Sequence, residues 1–284
     1  MTRILADSTC DLTTDLLQKY DITMVPLHIV LGDQEYRDIV EISPDEIYAW
    51  SDKNKTTPKT SAVSYDDAKG VLEPMLEDDN ELIIFCISEQ MSTTANVFRM
   101  VAEDLKAGER AHVVDSMNLS TGIGLVVIEA AILAQEGKSS REILKVVNEF
   151  LPKVRASFVV DTMTYLHRGG RCSSVAALAG SVLKIHPKII VSNGKMGVGA
   201  KYRGTIKSVI LTYVKDMEKA LLQAKRDRVF ITHSGCDSEV VDEVRGYLES
   251  LQHFDEIIET RAGGVISSHC GPGTLGVLFI DSES

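Results

Sequence analysis

The apolar positions of the first 152 residues form short continuous runs that alternate with amphipathic segments. Glu81 to Ile87 reads ELIIFCI, an unbroken run that is typical of a strand covered on both faces of a sheet. Thr93 to Leu105 has the helical spacing of apolar residues, and Asn118 to Gln135 is a longer helix that stops before Gly137. This alternation predicts a three-layer α/β domain with a parallel sheet over residues 1–152.

Three strand-like segments precede this region. Arg3 to Ala6 predicts the first strand of the sheet. Thr23 to Leu31 predicts one continuous strand, and the turn residues that follow it lead into a further strand from Glu35 to Ile39.

The second half has a different pattern, and we place the boundary at Pro152. The strands Lys188 to Ser192 and Gly197 to Lys201 flank Asn193-Gly194, which is a strong hairpin signal. Thr205 to Lys225 predicts one long helix. Residues 153–284 are therefore expected to form a second α/β domain with a mixed sheet and packed helices.

A helix rich in small residues is predicted from Ser173 to Leu183. Its apolar part, Val175 to Ala179, is compatible with ordinary core packing. Between two domains, the same helix could also line a tunnel for an alkyl chain.

Composition and charge narrow the class of protein. The chain has 284 residues, of which 44% are hydrophobic and 25% charged, so a folded globular protein is expected. The net charge of −11 disfavours long-range attraction to nucleic acid or anionic lipid. No apolar run reaches the roughly 18–20 residues that span a bilayer. The five cysteines form no CxxC pair and their number is odd, so a disulfide framework is not expected and a reducing, cytoplasmic compartment is.

Hydroxyl residues gather where predicted strands end and helices begin. Thr60-Ser61 and Ser92-Thr93-Thr94 are the main groups. Ligands of open α/β sheets bind near the carboxyl ends of the strands, where helix N-termini offer free N–H donors. These residues are either ordinary helix caps or a site for an anionic oxygen pair.

Two glycine-rich turns carry a basic side chain. Gly169-Gly170 places Arg171 on a turn, where its guanidinium would suit a carboxylate or a phosphate. His269 precedes Gly271-Pro272-Gly273, and an imidazole on a rigid turn could serve as acid, base or anion contact. The alternatives are a solvated arginine after a helix and an incidental histidine in a structural turn.

Several kinds of site are not supported by the sequence. The seven histidines show no HxxxH spacing, so no metal site is expected. The chain has no GxGxxG after its first strand and no Walker loop, so we expect no nucleotide cofactor and no ATP site. It also lacks the GxSxG of a nucleophile elbow.

The order of these motifs resembles the DegV-like fatty-acid-binding proteins over nearly the whole chain. The matching motifs are Asp7-Ser8-Thr9-Cys10-Asp11-Leu12, Thr60-Ser61-Ala62-Val63-Ser64, Ile87-Ser88 with Met91-Ser92-Thr93-Thr94, Asp115-Ser116 with Ser120, Gly122 and Gly124, Tyr165-Leu166-His167-Arg168-Gly169-Gly170-Arg171, and Ser268-His269-Cys270-Gly271-Pro272-Gly273. Each motif alone is weak evidence for the resemblance, whereas six motifs in the order found in the family are strong evidence.

The resemblance implies two α/β domains with a long-chain fatty acid buried in a tunnel between them. The implied head-group residues are Thr60, Ser61, Ser92, Thr93, His269, Arg171 and Arg203. It also implies an acyl carrier in phospholipid metabolism that is not itself an enzyme. Such a carrier presents the carboxylate to a separate, ATP-dependent, dihydroxyacetone-kinase-like fatty acid kinase, which forms an acyl phosphate. Transient contact with a membrane is compatible with this role.

The chain departs from the family pattern at three places. It has Ala62-Val63 where the family often has Gln-Pro, Thr93 where a glycine is common, and Cys172 where an aliphatic residue is common. Thr93 matters most, since it adds a hydroxyl and bulk beside the head group. Two other functions stay open from the residues: a hydrolase or transferase that uses Ser61 or Ser92 with His269, and a lipid-sensing regulatory protein.

Overall fold

A computed structural model describes residues 1–77, 79–175 and 185–282. The described strands are β1 (Thr2–Asp7), β2 (Ile22–Val25), β3 (His28–Leu31), β4 (Gln34–Arg37), β5 (Lys59–Ser61), β6 (Glu81–Cys86), β7 (Ala111–Asp115), β8 (Val154–Val159), β9 (Ile185–Ser192), β10 (Lys195–Arg203), β11 (Ala224–His233), β12 (Glu256–Arg261) and β13 (Leu275–Asp281). The described helices are α1 (Thr14–Lys19), α2 (Pro44–Asn54), α3 (Tyr65–Glu77), α4 (Thr94–Asp104), α5 (Thr121–Gln135), α6 (Ser140–Phe150), α7 (Thr164–Gly169), α8 (Ile206–Asp216), α9 (Glu218–Leu221), α10 (Ser238–Ser250) and α11 (Gly264–Cys270).

The strands form a parallel sheet and a mixed sheet, which confirms the predicted fold class. The parallel sheet has the order β2-β1-β6-β7. The mixed sheet has the order β10-β9-β8-β13-β11-β12, in which only β11 and β12 run parallel among the described strands. Helix α5 packs against β1 of the first sheet and against β8 and β13 of the second. Its mostly buried sequence follows from this position between two sheets.

A third, antiparallel sheet of order β4-β3-β5 was only partly predicted. The prediction of one continuous strand from Thr23 to Leu31 was wrong, because the chain leaves the parallel sheet after β2 and enters this small sheet as β3. Pro26 lies at the break and has no N–H to donate to a ladder. Strand β5, which carries Thr60, had no clear sequence signal because it is only three residues long.

Two other predictions concern the second half. The single helix from Thr205 to Lys225 was wrong: α8 and α9 are separate, and Ala224 already pairs with Asp281 in the mixed sheet. The hairpin at Asn193-Gly194 is confirmed, and both residues have positive φ as its tight turn requires. This turn contacts the first half, where the Ser88 hydroxyl donates to the Gly194 carbonyl at 2.8 Å.

The largest apolar cluster contains side chains from both halves of the chain. Phe85 and Ile123 from the first half lie in the same cluster as Phe158, Phe230 and Val265 from the second. A second cluster lies under α8 and α10 on the mixed sheet, and a third lies under α3 and α4 on the parallel sheet. The domain boundary at residues 152 and 153 stays a prediction. No described helix is long and apolar enough to cross a membrane.

Three aspartates are buried together where the parallel sheet meets the small sheet. Asp7, Asp11 and Asp38 are each at most 3% exposed, and no described cation lies within 4 Å of their carboxyl oxygens. Burial raises the pKa of all three, to about 6 for Asp7 and about 8 for Asp11. Backbone N–H groups and hydroxyls supply their hydrogen bonds.

We expect this cluster to make the protein less stable as the pH rises through neutrality. The folded state holds the Asp11 proton up to about pH 8, whereas the unfolded chain releases it near pH 4. The folded state therefore binds more protons at Asp11, which should lower the free energy of unfolding by about 1 kcal/mol per pH unit between pH 6.5 and 7.5. Urea unfolding at these two pH values measures the slope.

Asp11→Asn should reduce this slope, because asparagine does not titrate, while Asp38, whose pKa burial also raises, keeps its own contribution. Asp7→Asn is the matched control and should retain the slope, since the pKa of Asp7 lies near 6, below this range. An equal slope in the wild type and in Asp11→Asn would contradict the assignment.

Candidate functional site

One cavity of about 480 Å³ collects most of the candidate residues. Its size is within the range of small-molecule sites. The polar lining residues are Thr60, Ser61, Glu89, Gln90, Ser92, Thr93, Arg171 and His269. The remaining lining residues are Leu27, Ala62, Ile87, Met91, Leu119, Met196, Val265, Ile266 and Cys270. A narrow second cavity of about 20 Å³ shares Leu119, Ile266 and Cys270 with it and is also lined by Phe158 and Leu278.

The loop after β6 brings Ser92 and Thr93 to the cavity. This loop leaves the carboxyl end of a parallel strand, the place where α/β sheets bind ligands. It is held by backbone N–H groups of Met91 and Ser92 that donate to the Ser88 carbonyl at 2.8 and 3.1 Å. The Ser92 hydroxyl lies 2.9 Å from the Thr94 hydroxyl. Thr93 precedes α4, and its exposed side chain makes no capping hydrogen bond.

Thr60 and His269 are in direct contact across the cavity. The Thr60 hydroxyl lies 2.8 Å from Nε2 of His269, although the two residues are far apart in sequence. The other ring nitrogen, Nδ1, is buried and has no hydrogen-bond partner in the described part of the chain. Burial, with a contribution from Arg171, lowers the pKa of His269 to about 4. The imidazole is therefore neutral near pH 7, with one nitrogen as donor and the other as acceptor.

Ser61 borders the cavity, but its hydroxyl points elsewhere. Successive side chains of a strand lie on opposite faces, and Thr60 is on the face that it shares with the fully buried Ile29. The Ser61 hydroxyl donates to the Glu35 carboxylate at 3.4 Å. The structure thus brings Thr60, and not the hydroxyl of Ser61, to His269.

Arg171 also lines the cavity, beside the loop that carries Ser92. One guanidinium nitrogen donates to the Gly169 carbonyl at 2.7 Å, and Nε lies 3.5 Å from the Met91 carbonyl. Among the described residues, no carboxylate lies within 4 Å of this guanidinium. Its charge is therefore available to an anion at the cavity.

Arg203 is the one proposed head-group residue that does not line this cavity. It is exposed at the end of β10, where it pairs with Ile185. The predicted helix of small residues falls mostly on residues 176–184, which lie outside the described residues.

The apolar lining residues were missed by sequence reasoning. Leu27, Leu119, Val265 and Ile266 are buried aliphatic side chains, and nothing in their type distinguishes a cavity wall from a filled core. Helix α11 was missed as well, although it carries His269. It has only seven residues and begins at a glycine, so it has no helix-start signal of its own.

The geometry does not assemble the serine–histidine pair of the hydrolase alternative. The Ser92 hydroxyl contacts Thr94 and that of Ser61 contacts Glu35, so neither contacts His269. No carboxylate orients the imidazole, since Nδ1 has no partner in the described part of the chain. A base with a pKa near 4 is also weak at neutral pH. The described residues contain no group of three or more His, Cys, Asp or Glu that could hold a metal ion.

Comparison with known proteins gives similarity along nearly the whole chain. The model of the DegV family, a family of uncharacterised proteins, matches residues 1–282. A DegV domain-containing protein of Caldanaerobacter subterraneus subsp. tengcongensis is 32% identical over 278 residues, 97% of each chain. The solved structure of a fatty-acid-binding DegV family protein from Thermus thermophilus has a TM-score of 0.90 at 29% identity and covers 99% of both chains. A stearic acid-binding protein from Eubacterium ventriosum has a TM-score of 0.86 at 28% identity, covering 99% of this chain and 98% of that one.

Proposed function

The chain belongs to the DegV family, and on that premise we propose that it binds a long-chain fatty acid in the cavity described above. The observation that carries the proposal is the mixed lining of one space of about 480 Å³. Hydroxyls, an imidazole and a guanidinium that contacts no carboxylate of the described residues line the same cavity as a set of aliphatic side chains. This combination suits a molecule with one anionic end and a long apolar body.

The polar groups that we propose to act on one carboxylate line the same cavity. Thr60 contacts His269, and Arg171 contacts the loop residue that directly precedes Ser92. Thr93 has a hydroxyl with no capping role, so the residue that replaces the common glycine adds a donor at the same place. Together these groups offer neutral donors and one positive charge, which a partly buried carboxylate needs.

The apolar lining supplies the binding free energy. Burying a methylene group is worth about 0.8 kcal/mol, so a chain of about 16 carbons has roughly 10 kcal/mol of gross driving force. Association costs several kcal/mol in lost freedom, so the apolar contacts alone leave an affinity of micromolar or weaker, and contacts to the carboxylate must strengthen it. Leu119, Ile266 and Cys270, which also line the narrow second cavity, are candidates for contact with the alkyl chain.

Native mass spectrometry tests the binding. The purified protein should carry a mass excess of one fatty acid per chain, and denaturing extraction should release that acid. Delipidated protein should take up palmitate or oleate at one per chain. A protein that arrives empty and refuses both acids would overturn the proposal.

We further propose that the bound carboxylate is presented to a separate, ATP-dependent fatty acid kinase. The kinase would transfer the γ-phosphoryl group of ATP to a carboxylate oxygen, giving an acyl phosphate and ADP. The resemblance to acyl carriers supports this role, and so does the absence of a phosphate loop from the sequence. Negative charge grows at the head group during this transfer, and His269 and Arg171 would stabilise it.

Reconstitution with such a kinase and labelled ATP tests the carrier role. Loaded wild-type protein should support acyl phosphate formation, and a loaded variant with His269→Ala and Arg171→Ala should support much less. Equal formation by both would contradict the roles of the two residues. A wild-type protein that binds the fatty acid but yields no acyl phosphate would favour the lipid-sensing alternative.

Ligand binding should also raise the pKa of His269. Burial and Arg171 hold this pKa at about 4, and a carboxylate beside the ring would stabilise the imidazolium. We expect the loaded protein to titrate His269 at least about one pH unit higher than the delipidated protein. Nuclear magnetic resonance of labelled histidine measures both values, and the same value in both forms would place the carboxylate away from His269.

A further inference from the structure

Helix α11 carries His269 in its last turn, but its first turn has no cap from its own sequence. The residue before the helix is Gly263, which has no side chain. The first N–H groups of a helix need acceptors from elsewhere. Gly264 donates its N–H to Oδ1 of Asp38 at 2.7 Å, and Gly263 donates its N–H to Oδ1 of Asp11 at 2.8 Å.

Asp38 adjoins the small sheet that also presents Thr60. It directly follows β4, and its backbone N–H donates to the Leu27 carbonyl at 2.8 Å. Its second carboxyl oxygen accepts from the Ser8 hydroxyl at 2.8 Å. The small sheet therefore contacts α11 at both ends: Asp38 at the first residue and Thr60 at His269. A helix of seven residues is only about 10 Å long. A shift of its first turn therefore also moves its last turn, which carries His269.

Close packing around the hydrogen bond between Gly264 and Asp38 leaves the first turn of α11 little room to move. A Cβ at Gly264 would lie 2.5 Å from Cδ1 of Ile29 and 2.9 Å from Oδ1 of Asp38, so only glycine fits there without movement. Ile39, next to Asp38, has a φ of 66°, which is strained for a β-branched residue. Strained residues persist where their surroundings hold them, often at functional sites.

We infer that Asp38 is a positioning residue for His269. Asp38 holds the first turn of α11 against the small sheet. This contact keeps the imidazole of His269 within hydrogen-bond distance of the Thr60 hydroxyl, where both groups can bind the carboxylate. Asp11 supports the same helix end through Gly263. Only the expected effect of Asp38 on palmitate binding rests on the proposed function. The position of the His269 ring can be measured without a ligand.

The first experiment observes His269 directly. The ring ¹⁵N signals of His269, assigned with His269→Gln, are compared in wild type, Asp38→Ala, Asp38→Asn and Asp7→Asn. Asp7 is the matched control: it is equally buried, but its carboxylate accepts from Thr9 and Ile87 and has no hydrogen bond to α11 among the described residues. The signals should move in Asp38→Ala, move less in Asp38→Asn, and stay in place in Asp7→Asn. Unchanged signals in both Asp38 variants would overturn the inference.

The second experiment measures palmitate affinity in two backgrounds. Asp38→Ala should weaken binding about tenfold when His269 is present and less than about twofold in a His269→Gln background. The same loss in both backgrounds would show a general structural effect and overturn the inference. If Asp38→Ala does not fold, palmitate affinity is measured instead with Asp38→Asn, both with His269 present and in the His269→Gln background. If the wild type binds no palmitate, the proposed function fails, and the ring signals alone decide the role of Asp38.

Discussion

Replacing Thr60 with valine is expected to weaken palmitate binding about 10- to 100-fold. Valine keeps the branched shape but removes the hydroxyl that lies 2.8 Å from His269, so a donor is lost and Nε2 is left without its partner. A hydrogen bond from the Thr60 hydroxyl to the charged carboxylate of palmitate would contribute about 1.5–3 kcal/mol of binding free energy. A tenfold change in affinity corresponds to about 1.4 kcal/mol. Titration calorimetry on delipidated protein measures the change.

The neighbouring serine provides the control for this prediction. Ser61→Ala also removes one hydroxyl from β5, but that hydroxyl contacts Glu35 on the other face of the small sheet. Its effect on affinity should stay below about twofold, since an exposed contact contributes little. If Ser61→Ala weakens binding as much as Thr60→Val does, the hydroxyl of Ser61 turns into the site and the assignment is incorrect.

Gly169→Ala is expected to weaken palmitate binding by at least about tenfold. A Cβ at this position would lie 2.3 Å from Nδ1 of His269, which is too close for the ring to stay where it is. The imidazole must therefore turn away from Thr60, and the loss of that contact should cost on the order of 1.5 kcal/mol or more of binding free energy. Affinity and urea unfolding are measured on the same samples.

Gly170→Ala separates this steric effect from a backbone effect. Gly170 has a φ of 69°, and the space into which a Cβ would project is open, so alanine strains the backbone without touching the ring. It should cost about 1 kcal/mol of stability and leave affinity within about threefold. Gly169 lies in a helix, where alanine does not lower helix propensity, so its effect should appear in binding. Equal affinity losses in the two variants would contradict the steric explanation.

The resemblance to the family supplied the candidate site residues, and the structure showed which of them line the cavity. Thr60, Ser92, Thr93, Arg171 and His269 line one cavity. The sequence could not separate Thr60 from Ser61, because both are hydroxyls and only the alternation of β5 decides which one faces the cavity. It also could not place Arg203, whose position depends on how β10 pairs at the edge of the mixed sheet.

The apolar wall and the buried aspartates show a different limit. An aliphatic residue looks the same in a sequence whether it fills a core or borders an empty space, so Leu119 and Ile266 carried no signal. Asp11 was noted only as part of a family motif, and Asp38 only as part of the predicted strand from Glu35 to Ile39. Their burial follows from α11 lying on them, a contact between residues more than 220 positions apart.

The sequence by itself determined the local features of this protein. The apolar runs specified β1 and β6 of the parallel sheet, Asn193-Gly194 specified the hairpin, and the order of six motifs specified the family. These features depend on neighbouring residues, since strand period, turn φ and motif spacing are local properties.

Only the tertiary structure decided which groups meet. The contact between Thr60 and His269 and the hydrogen bond from α11 to Asp38 both join segments that are distant in the chain. Such contacts depend on how sheets and helices pack, and packing is fixed by the sum of many weak interactions over the whole core. The fold class could therefore be predicted from the sequence, whereas the geometry of the candidate site could not.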